Sequence, residues 1–505
     1  MRKILFACSE LHPLIKTGGL GDVAGYLPVA LKELRQDIRV VMPAYRAALA
    51  CAGEFKPAAR LNIIGSAAPV TILEGRVPGT QIKLYLIDAP HYFDRPGGPY
   101  ADIHGHNWPD NAARFALFAR AVVSLALDQA GLGWRPDLVH CNDWQTGLVP
   151  ALLTRETKRP ATLFTIHNLA YQGVFSREIF DSLSLPPELW SLHALEFHGQ
   201  LSFIKGGLVY ADWLSTVSPT YAREIRTAEF GCGLEGLLDH RATRLTGILN
   251  GVDYNLWDPR HDPFIAKNYN SRTLQLKTDN KADVQRRFHL PEVKNLPLIG
   301  FVGRLVEQKG IDLLLRIMPE LMRLPLQIVI VGSGERDLEQ ALLQCAATYP
   351  ERVGVTIGYD EELAHCIEAG VDIFLMPSRF EPCGLNQIYS LRYGTVPVVR
   401  RTGGLADTIV DTTPQTSKNG TANGFVFDAA TPAALLSALL RAIHHYSDTR
   451  KWRALARRGM AQDFSWEQSA RRYLDIYQKA LEARRLTGGA GHESPPPENR
   501  RYPPE

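Results

Sequence analysis

The sequence has almost no excess of charge of either sign. Its 505 residues include 56 Lys and Arg against 53 Asp and Glu, which gives a formal net charge of +3. Binding to nucleic acid rests on a dense basic surface, so this balance argues against a nucleic-acid partner. No apolar stretch approaches the roughly 20 residues that a membrane-spanning helix requires, so we expect no membrane partner.

Cysteine is also scarce. The seven cysteines form no C-x-x-C pair and no framework of the kind found in small secreted domains. An odd number of cysteines in a chain of this length favours reduced thiols, and therefore a cytoplasmic protein.

Several motifs for common cofactors are missing. The chain contains no Gly-Lys dipeptide, which excludes the G-x-x-x-x-G-K-[ST] phosphate loop. The stretch VGSGE (331–335) begins as G-x-G after a strand-like run but has no third glycine at the required spacing, so a nicotinamide enzyme is weakly supported. Neither H-E-x-x-H nor a Cys/His zinc spacing occurs. We therefore expect neither a cofactor nor a metal, and fixed cations would have to stabilise any leaving phosphate.

What the sequence does have is a regular alternation of short apolar runs and longer helical patterns. Such alternation predicts parallel sheets that are covered by helices on both faces. The runs fall into two sets, and the second set starts afresh at residue 297. The predicted strands are 3–8, 38–43, 82–89, 137–141, 162–167 and 213–218 in the first set, and 297–304, 326–332, 353–358, 371–378 and 396–401 in the second.

Two Rossmann-like, doubly wound α/β domains are therefore predicted, over residues 1–253 and 254–462. Residues 254–296 are polar, and we interpret them as the connection plus a lead-in helix. A helix within 463–485 is expected to pack back across the domains, and the Pro-rich segment 486–505 is expected to be disordered. Ligands of such sheets bind beyond the carboxyl ends of the strands, so a deep cleft between two facing domains is the expected site.

One short pattern occurs twice. Thr-Gly-Gly-Leu-x-Asp begins at Thr17, in IKTGGLGDV, and again at Thr402, in RRTGGLADT. Glycines allow backbone N–H groups to approach a phosphate, and the start of a following helix favours negative charge. Each copy could also be a plain tight turn that starts a helix. The basic residue directly before each copy, Lys16 or Arg401, favours an anionic ligand.

Charged residues also follow the predicted strands of the second domain. Arg304 and Lys309, in FVGRLVEQKGID, come after its first strand, where two cations can neutralise a pyrophosphate. Two solvated charges around a helix start are an equally good interpretation. Glu381, in MPSRFEPCGLNQ, lies in a Pro-containing loop, and Gly384 leads from that loop into a helix. The start of that helix can hold a phosphate, with the carboxylate beside the group that carries it. A loop carboxylate is normally a solvated charge, and that interpretation stays open.

Two strands of the first domain end in polar and aromatic residues. These ends are VHCNDWQTG (139–147) and TIHNLAYQG (165–173). Aromatic rings next to amides suit a sugar, which needs hydrogen bonds at its edges and an apolar face to stack on. The side chains in question are Asn142, Asp143, Trp144, Gln145, His167, Asn168 and Tyr171.

Together these stretches resemble bacterial glycogen synthases and the closely related plant starch synthases. The resemblance runs from Lys3 to Tyr477 and is carried by KTGGLGDV, HCNDWQTGLVP, TIHNLAYQG, ADWLSTVSPTYAREI, GILNGVDYNLWDP, GRLVEQKGIDLL and SRFEPCGLNQIYSLRYGTVPVVRRTGGLADTI. It implies the GT-B architecture, in which two Rossmann-like domains face a deep cleft. It also implies transfer of glucose from ADP-glucose to the non-reducing 4-OH of an α-1,4-glucan such as glycogen, with retention of configuration and without a metal.

The resemblance implies roles for individual residues. Glu381 would be the essential carboxylate near the glucose, while Arg304 and Lys309 would hold the diphosphate and stabilise the departing ADP. His167 would hold the donor glucose, and Asp143 would help to orient the sugars. The further residues expected to bind substrate are Lys16, Gly18, Gly19, Asp22, Asn168, Cys383, Gly384, Leu385 and Thr402.

One position departs from the wider class of retaining transferases. Many members carry a second Glu eight residues after the first, and here that position is Tyr389, as in the glycogen and starch synthase branch. The two-carboxylate mechanism of glycosidases therefore does not transfer to this chain. A direct displacement on one face and a covalent glucosyl intermediate both stay open, and the direct route is favoured.

Other functions stay open at this point. A transferase that uses UDP-glucose or another acceptor is the first alternative, because nothing physical in the sequence selects adenine over uracil. An inactive regulator that binds glucan or nucleotide is the second, and it predicts loss of Glu381, Lys16 or the cation pair. Tyr100, in HYFDRPGGPY, is a candidate for stacking on the glucan or part of a packed loop. The sequence specifies no oligomeric state.

Overall fold

The structure is a computed structural model that describes residues 1–51 and 53–489. The tail predicted over 486–505 lies outside the described residues from residue 490 onward. The chain forms two compact units. Unit 1 comprises residues 1–165, 171–214 and the segment from Tyr473, and unit 2 comprises residues 166–170 and 215–472. The proposed domain boundary after residue 253 stays a prediction.

Unit 1 is built on a twisted sheet whose parallel strands are joined by helices. Its strands are β1 Lys3–Ala7, β2 Asp37–Pro43, β3 Lys56–Leu61, β4 Val70–Arg76, β5 Lys83–Asp88, β6 Leu138–Asn142, β7 Ala161–Ile166, β8 Val174–Phe175, β9 Glu196–Phe197 and β10 Gln200–Ser202. Its helices are α1 Gly19–Glu33, α2 Arg46–Cys51, α3 Pro90–Phe93, α4 Asn111–Ala126, α5 Leu148–Leu153, α6 Arg177–Ser182 and α7 Phe203–Tyr210, with short 3₁₀ helices at Trp144–Thr146 and Pro187–Leu189.

The strand order in unit 1 places β1 in the interior of the sheet, between β6 and β2. Neighbouring strands run β7-β6-β1-β2-β5-β4-β3, and the pairs from β7 to β5 are parallel. Ile4, Leu5, Phe6 and Ala7 of β1 are all fully buried, as expected for a parallel strand with both faces covered. The antiparallel strands β3 and β4 extend the sheet beyond β5. Strands β8, β10 and β9 form a separate small sheet.

The chain then continues through β11 Trp213–Thr216 into unit 2. The helices that follow are α8 Pro219–Glu224, α9 Glu235–His240, α10 Lys277–Arg287, α11 Ile311–Leu321, α12 Arg336–Thr348, α13 Glu361–Gly370, α14 Asn386–Arg392, α15 Gly403–Thr408, α16 Pro414–Lys418, α17 Pro432–Tyr446, α18 Thr449–Met460 and α19 Trp466–Gly489. The strands are β12 Leu245–Gly247, β13 Leu298–Val302, β14 Gln327–Gly332, β15 Val353–Ile357, β16 Ile373–Met376, β17 Val396–Arg400 and β18 Phe425–Phe427, and 3₁₀ helices occupy Ala242–Arg244, Leu274–Leu276 and Glu307–Lys309.

The sheet of unit 2 has the order of a dinucleotide-binding fold. Its six strands run β15-β14-β13-β16-β17-β18, and every neighbouring pair is parallel. Counted from β13, this is the order 3-2-1-4-5-6, which places a topological switch point between β13 and β16. Successive residues of β14 enter opposite cores: Ile328 and Ile330 pack with α11 and α17, while Val329 and Val331 pack with α13 and α14.

The last helix returns to unit 1. Helix α19 begins at Trp466, and its residues from Tyr473 onward cluster with the first unit. The hydroxyl of Tyr477 lies 2.9 Å from Nδ1 of the buried His140, and Arg2 donates to Oε1 of Gln478 at 2.8 Å. Within the described part of the chain, no helix combines the length and the apolar character needed to cross a bilayer.

Candidate active site

The switch point of unit 2 brings Glu381 and Lys309 together. Glu381 lies in the loop after β16, and Lys309 ends the 3₁₀ helix that follows the neighbouring strand β13. The two strands are parallel, so their carboxyl ends open on the same edge of the sheet. Nζ of Lys309 lies 2.5 Å from Oε2 of Glu381, and Oγ of Ser378 donates to the same oxygen at 2.9 Å. The Glu381 residue is only 6% exposed, so its charge is satisfied inside the protein.

Arg304 lies on the same edge but is exposed. Its Nη2 donates to Oε1 of Gln308 at 3.1 Å, and Nε2 of Gln308 donates to the carbonyl oxygen of Phe380 at 3.2 Å. The residue before Glu381 is thus linked to the segment that carries both cations. The structure therefore brings Arg304, Lys309 and Glu381 to one edge of one sheet.

The backbone after Glu381 depends on glycine. Gly384 has φ of +70°, and a Cβ atom there would lie 2.5 Å from Oε1 of Gln387. Leu385 follows as the residue before α14. Burial raises the pKa of Cys383 to about 12, so its sulfur is a thiol and not a nucleophilic thiolate. Cys383 and Gly384 therefore shape the loop.

The second Thr-Gly-Gly-Leu turn packs directly behind this loop. The N–H of Gly404 lies 3.2 Å from the carbonyl oxygens of both Glu381 and Pro382. Thr402 is fully buried, and its hydroxyl donates to Oε1 of Glu224 at 3.0 Å. The N–H of Gly403 donates to both oxygens of the same carboxylate, at 3.0 and 3.1 Å.

The first Thr-Gly-Gly-Leu turn, in unit 1, is held by Glu10. This carboxylate is 3% exposed and lies between β1 and α1. It accepts hydrogen bonds from the N–H and the hydroxyl of Thr17, both at 2.6 Å, and from the N–H of Gly18 at 3.1 Å. Gly18 and Gly19 are exposed, and a Cβ atom at either would meet nothing within 4 Å. The start of α1 therefore offers an open surface on a fixed backbone.

Lys16 and Asp22 flank this open surface. Nζ of Lys16 lies 2.7 Å from Oδ1 of Asp22, and the Lys16 side chain is 39% exposed. Asp22 lies in the first turn of α1, where a carboxylate is favoured by the helix dipole. The pair presents a cation beside the exposed glycines.

Tyr100 joins the first turn instead of standing alone on a surface. Its hydroxyl donates to Oε1 of Glu10 at 2.7 Å and lies 2.7 Å from Oγ of Ser9. Its ring packs at a tilt against Phe115, with the centroids 6.1 Å apart. The loop that carries Tyr100 and the turn that carries Lys16 therefore share one buried carboxylate.

The polar residues at the ends of β6 and β7 have different surroundings. Asp143 has φ of +56°, and its N–H donates to the carbonyl oxygen of Thr165 at 3.0 Å. His167 is 9% exposed, and burial lowers its pKa to about 3, so the imidazole is neutral at physiological pH. Oδ1 of Asn168 accepts the N–H of Ala170 at 3.1 Å. Trp144 packs against Phe115 with ring centroids 5.0 Å apart, so it contributes to a core.

Position 389 carries an aromatic ring in a stack. The ring of Tyr389 lies parallel to that of Trp257, with centroids 3.9 Å apart, and Trp257 stacks on His365 at 3.6 Å. Across residues 1–51 and 53–489, no group of three or more His, Cys, Asp or Glu residues could hold a metal ion.

Sequence reasoning missed four residues that organise these groups. Ser378 and Gln308 support Glu381 and Arg304, and Glu10 and Glu224 hold the two turns. A faint signal existed for Glu10, because an acidic residue in CSELHP follows directly after an apolar strand. Nothing in the sequence links Glu224 to residues almost 180 positions later.

The chain matches known families along most of its length. Residues 3–240 match the family model described as starch synthase catalytic domain, and residues 284–459 match that of glycosyl transferases group 1. The chain is 58% identical over 481 residues to glycogen synthase 2 of Nitrosococcus oceani, which covers 95% of this chain and 98% of the relative. It is 56% identical to glycogen synthase 1 of Methylococcus capsulatus, over 95% of this chain and 97% of the relative.

Solved structures agree with the fold. The catalytic domain of starch synthase IV from Arabidopsis thaliana, bound to ADP and acarbose, is 32% identical with a TM-score of 0.85, over 95% of this chain and 99% of that chain. Sucrose-phosphate synthase from Thermosynechococcus elongatus is 17% identical with a TM-score of 0.60, over 96% of this chain and 100% of that chain, and shares the fold. The prediction of two doubly wound α/β domains of the GT-B class is confirmed.

Proposed function

This chain belongs to the glycogen synthase family, and from that premise we propose that it transfers glucose from ADP-glucose to the non-reducing 4-OH of an α-1,4-glucan. The observation that carries the proposal is the buried Glu381 carboxylate paired with Lys309 at the switch point of unit 2. The ADP bound to the similar Arabidopsis starch synthase supports an adenine nucleotide as the donor. The acarbose in the same structure supports a glucan as the acceptor.

The departing ADP needs stabilisation of its negative charge. In the proposed reaction the bond between the glucose C1 and the diphosphate oxygen breaks, which leaves positive charge on the sugar and negative charge on ADP. Lys309 and the exposed Arg304 are the cations at this edge of unit 2. Fixed cations of this kind stabilise a leaving phosphate without reorganising during the reaction. We therefore propose that these residues do the work for which other transferases use a metal.

Glu381 is proposed to act as a fixed negative charge beside the glucose. Its Oε2 accepts from both Lys309 and Ser378, and these bonds lower the nucleophilicity of that oxygen. A carboxylate held in this way favours direct attack by the glucan hydroxyl on the face that ADP leaves. Retention of configuration follows from that geometry, and the departing phosphate takes the proton of the hydroxyl. A covalent glucosyl intermediate is the alternative that trapping experiments distinguish.

His167 is proposed to bind a hydroxyl of the donor glucose. Its pKa of about 3 keeps the imidazole neutral between pH 6 and 8, so it acts through hydrogen bonds and carries no positive charge. Asp143, which holds a left-handed backbone at the end of β6, and Asn168 are proposed to orient the sugars. Lys16 and the exposed glycines at the start of α1 are proposed to contact the sugar nucleotide.

The proposal also covers the need for a cofactor or metal, the cellular location and the macromolecular partner. The reaction needs neither a cofactor nor a metal, because Lys309 and Arg304 at the switch point of unit 2 meet the charge on ADP. The enzyme acts in the cytoplasm, in agreement with the free thiols of its seven cysteines, all of which lie in the described part of the chain. Glycogen or another α-1,4-glucan is the macromolecular partner.

The test measures ADP or UDP release with glycogen and either ADP-glucose or UDP-glucose, in the presence of EDTA. Wild type should be active with ADP-glucose, and Glu381→Ala should lower kcat by about a hundredfold or more. The matched control is Glu351→Ala, which removes an exposed carboxylate just before β15, at the opposite edge of the same sheet. This control should retain wild-type kcat.

Each other outcome changes a specific part of the proposal. Activity with UDP-glucose alone would overturn the donor, and loss of activity in EDTA that added Mg²⁺ restores would overturn the metal-free reaction. A folded wild type that releases nothing from either donor would favour the alternative of an inactive binding protein.

A further inference from the structure

Helices α8 and α15 of unit 2 cap each other. Glu224, the last residue of α8, accepts hydrogen bonds from Thr402 Oγ1 and Gly403 N at the start of α15. Asp407, on α15, accepts hydrogen bonds from Thr220 N at 2.8 Å and from Thr220 Oγ1 at 2.7 Å, in the first turn of α8. We call these five residues the reciprocal clamp. Each helix supplies the carboxylate that satisfies free N–H groups of the other, which fixes the two helices as one body.

The helices of the reciprocal clamp form hydrogen bonds to the backbone of the Glu381 loop. The N–H of Gly404, the second residue of α15, lies 3.2 Å from the carbonyl oxygens of Glu381 and Pro382. Oγ of Ser218, which caps the start of α8, donates to the same carbonyl of Pro382 at 2.7 Å. Both helices of the clamp therefore hold the carbonyl of Pro382, the residue that immediately follows Glu381.

The start of α15 packs so closely against the Glu381 loop that neither backbone can move without the other. Gly403 has φ of +44°, and a Cβ atom there would lie 1.9 Å from the carbonyl oxygen of Glu381. At Gly404 a Cβ atom would lie 2.0 Å from the carbonyl oxygen of Cys383. Any movement of the start of α15 must therefore move the backbone that carries the Glu381 carboxylate.

We propose that Glu224 is a positioning residue for the transfer reaction, acting through the reciprocal clamp to fix the Glu381 carboxylate against Lys309. This inference rests on the proposed function. Glu224 is half-buried, and the hydrogen bonds that it accepts come from Thr402 and Gly403 at the start of α15. Glu224 fixes the position of the α15 backbone, and α15 in turn fixes the positions of the Glu381 and Pro382 carbonyl groups. The loop backbone then holds the Glu381 carboxylate 2.5 Å from Nζ of Lys309. A displacement of about 1 Å at such a carboxylate is enough to cost two orders of magnitude in rate.

The test compares Glu224→Ala with Glu224→Gln and with Glu229→Ala. Glu229 is an exposed carboxylate five residues further along the chain, which makes it a matched control for loss of charge. We expect Glu224→Ala to lower kcat by at least about tenfold while the KM for the donor changes by less than about threefold. Glu224→Gln keeps an oxygen that accepts from Gly403, so it should restore most of the lost kcat. Glu229→Ala should match wild type.

A second measurement does not depend on turnover. Amide hydrogen exchange in a peptide that spans 380–404 should be faster in Glu224→Ala than in wild type, and unchanged in Glu229→Ala. This readout separates the two proposals, because it reports on the loop even if the enzyme uses another donor or acceptor. Faster exchange with an unchanged kcat, or a fall in melting temperature alone, would overturn the positioning role. Unchanged exchange in a folded Glu224→Ala would overturn the clamp itself.

Discussion

The two Thr-Gly-Gly-Leu turns share a construction but differ in what surrounds their glycines. In each turn, a carboxylate from another segment of the chain accepts hydrogen bonds from the threonine hydroxyl and from a backbone N–H. This carboxylate is Glu10 for Thr17 and Glu224 for Thr402. Each turn then starts a helix. The carboxylate satisfies donors that would otherwise be orphaned at the helix start. The same local chemistry therefore builds both turns.

The surroundings set the turns apart. At Gly18 and Gly19 a Cβ atom would meet open space, whereas at Gly403 and Gly404 it would collide with backbone oxygens of the Glu381 loop. Helix α1 begins at the second glycine of its turn, and α15 begins at the first. The first turn thus presents glycine to solvent, and the second uses glycine for close packing of two backbones.

This contrast suits the two turns to different roles in the proposed enzyme. An open helix start beside Lys16 is suited to receive a phosphate, and a closed one is suited to hold a catalytic loop. The same four residues thus leave their glycines open to solvent in one unit and pack them against a neighbouring backbone in the other.

The largest expected difference is between Gly403→Ala and Gly19→Ala. Alanine at 403 would need a left-handed backbone and would place its Cβ 1.9 Å from the Glu381 carbonyl oxygen, so the loop must move. We expect kcat to fall by about a hundredfold or more, with a clear loss of melting temperature. Alanine at 19 stands in the first turn of a helix with free space around it, so the melting temperature should hold or rise slightly.

The readouts for this pair are steady-state kinetics and thermal unfolding on both variants. Gly19→Ala should raise the KM for ADP-glucose, because its methyl group occupies the surface that we assign to the sugar nucleotide. A Gly403→Ala variant with wild-type kcat and melting temperature would show that the second turn does not hold the loop.

Much of this architecture is predictable from the sequence. Buried parallel strands are continuous apolar runs, and all eleven predicted strands are present, with ends shifted by a few residues at most. Arg304, Lys309 and Glu381 were recognisable as candidate site residues because ligands of parallel sheets bind beyond the carboxyl ends of the strands. The antiparallel pair β3 and β4 was missed, since KPAARL and VTILEGR lack such a run.

The partners of the site residues were not predictable in the same way. A single Glu such as Glu224 carries no periodic or motif signal, and its partner Thr402 is fixed only by packing between α8 and α15. The difference between the two turns has the same origin. Identical tetrapeptides specify the same local bonds, while tertiary contacts decide whether the glycines face solvent or the Glu381 loop. The Arg and Lys before the turns looked equivalent in sequence, and the structure separates them.

An intermediate effect is expected from the basic residues before the two turns. Lys16 pairs with Asp22 beside the exposed glycines, whereas Arg401 pairs with Asp428, whose side chain is 78% exposed. Lys16→Ala should lower kcat/KM for ADP-glucose by about a hundredfold, the usual effect of removing one charged contact to a transition state. Arg401→Ala loses only a solvent-screened pair, so kcat/KM should change by less than about threefold. Equal losses in both variants would contradict the division between an open and a closed turn.

The smallest effects are expected from Thr17→Val and Thr402→Val, which remove the hydroxyl that each turn donates to its carboxylate. Thr402 is fully buried, so its loss should cost about 1 kcal/mol and lower the melting temperature by about 2–4 °C. Thr17 is exposed and its N–H still binds Glu10, so the melting temperature should hold while the KM for ADP-glucose rises about threefold. Thermal unfolding and donor titrations on the two variants check this. The reverse pattern, with stability lost at Thr17 and donor affinity lost at Thr402, would mean that the second turn, and not the first, meets the ligand.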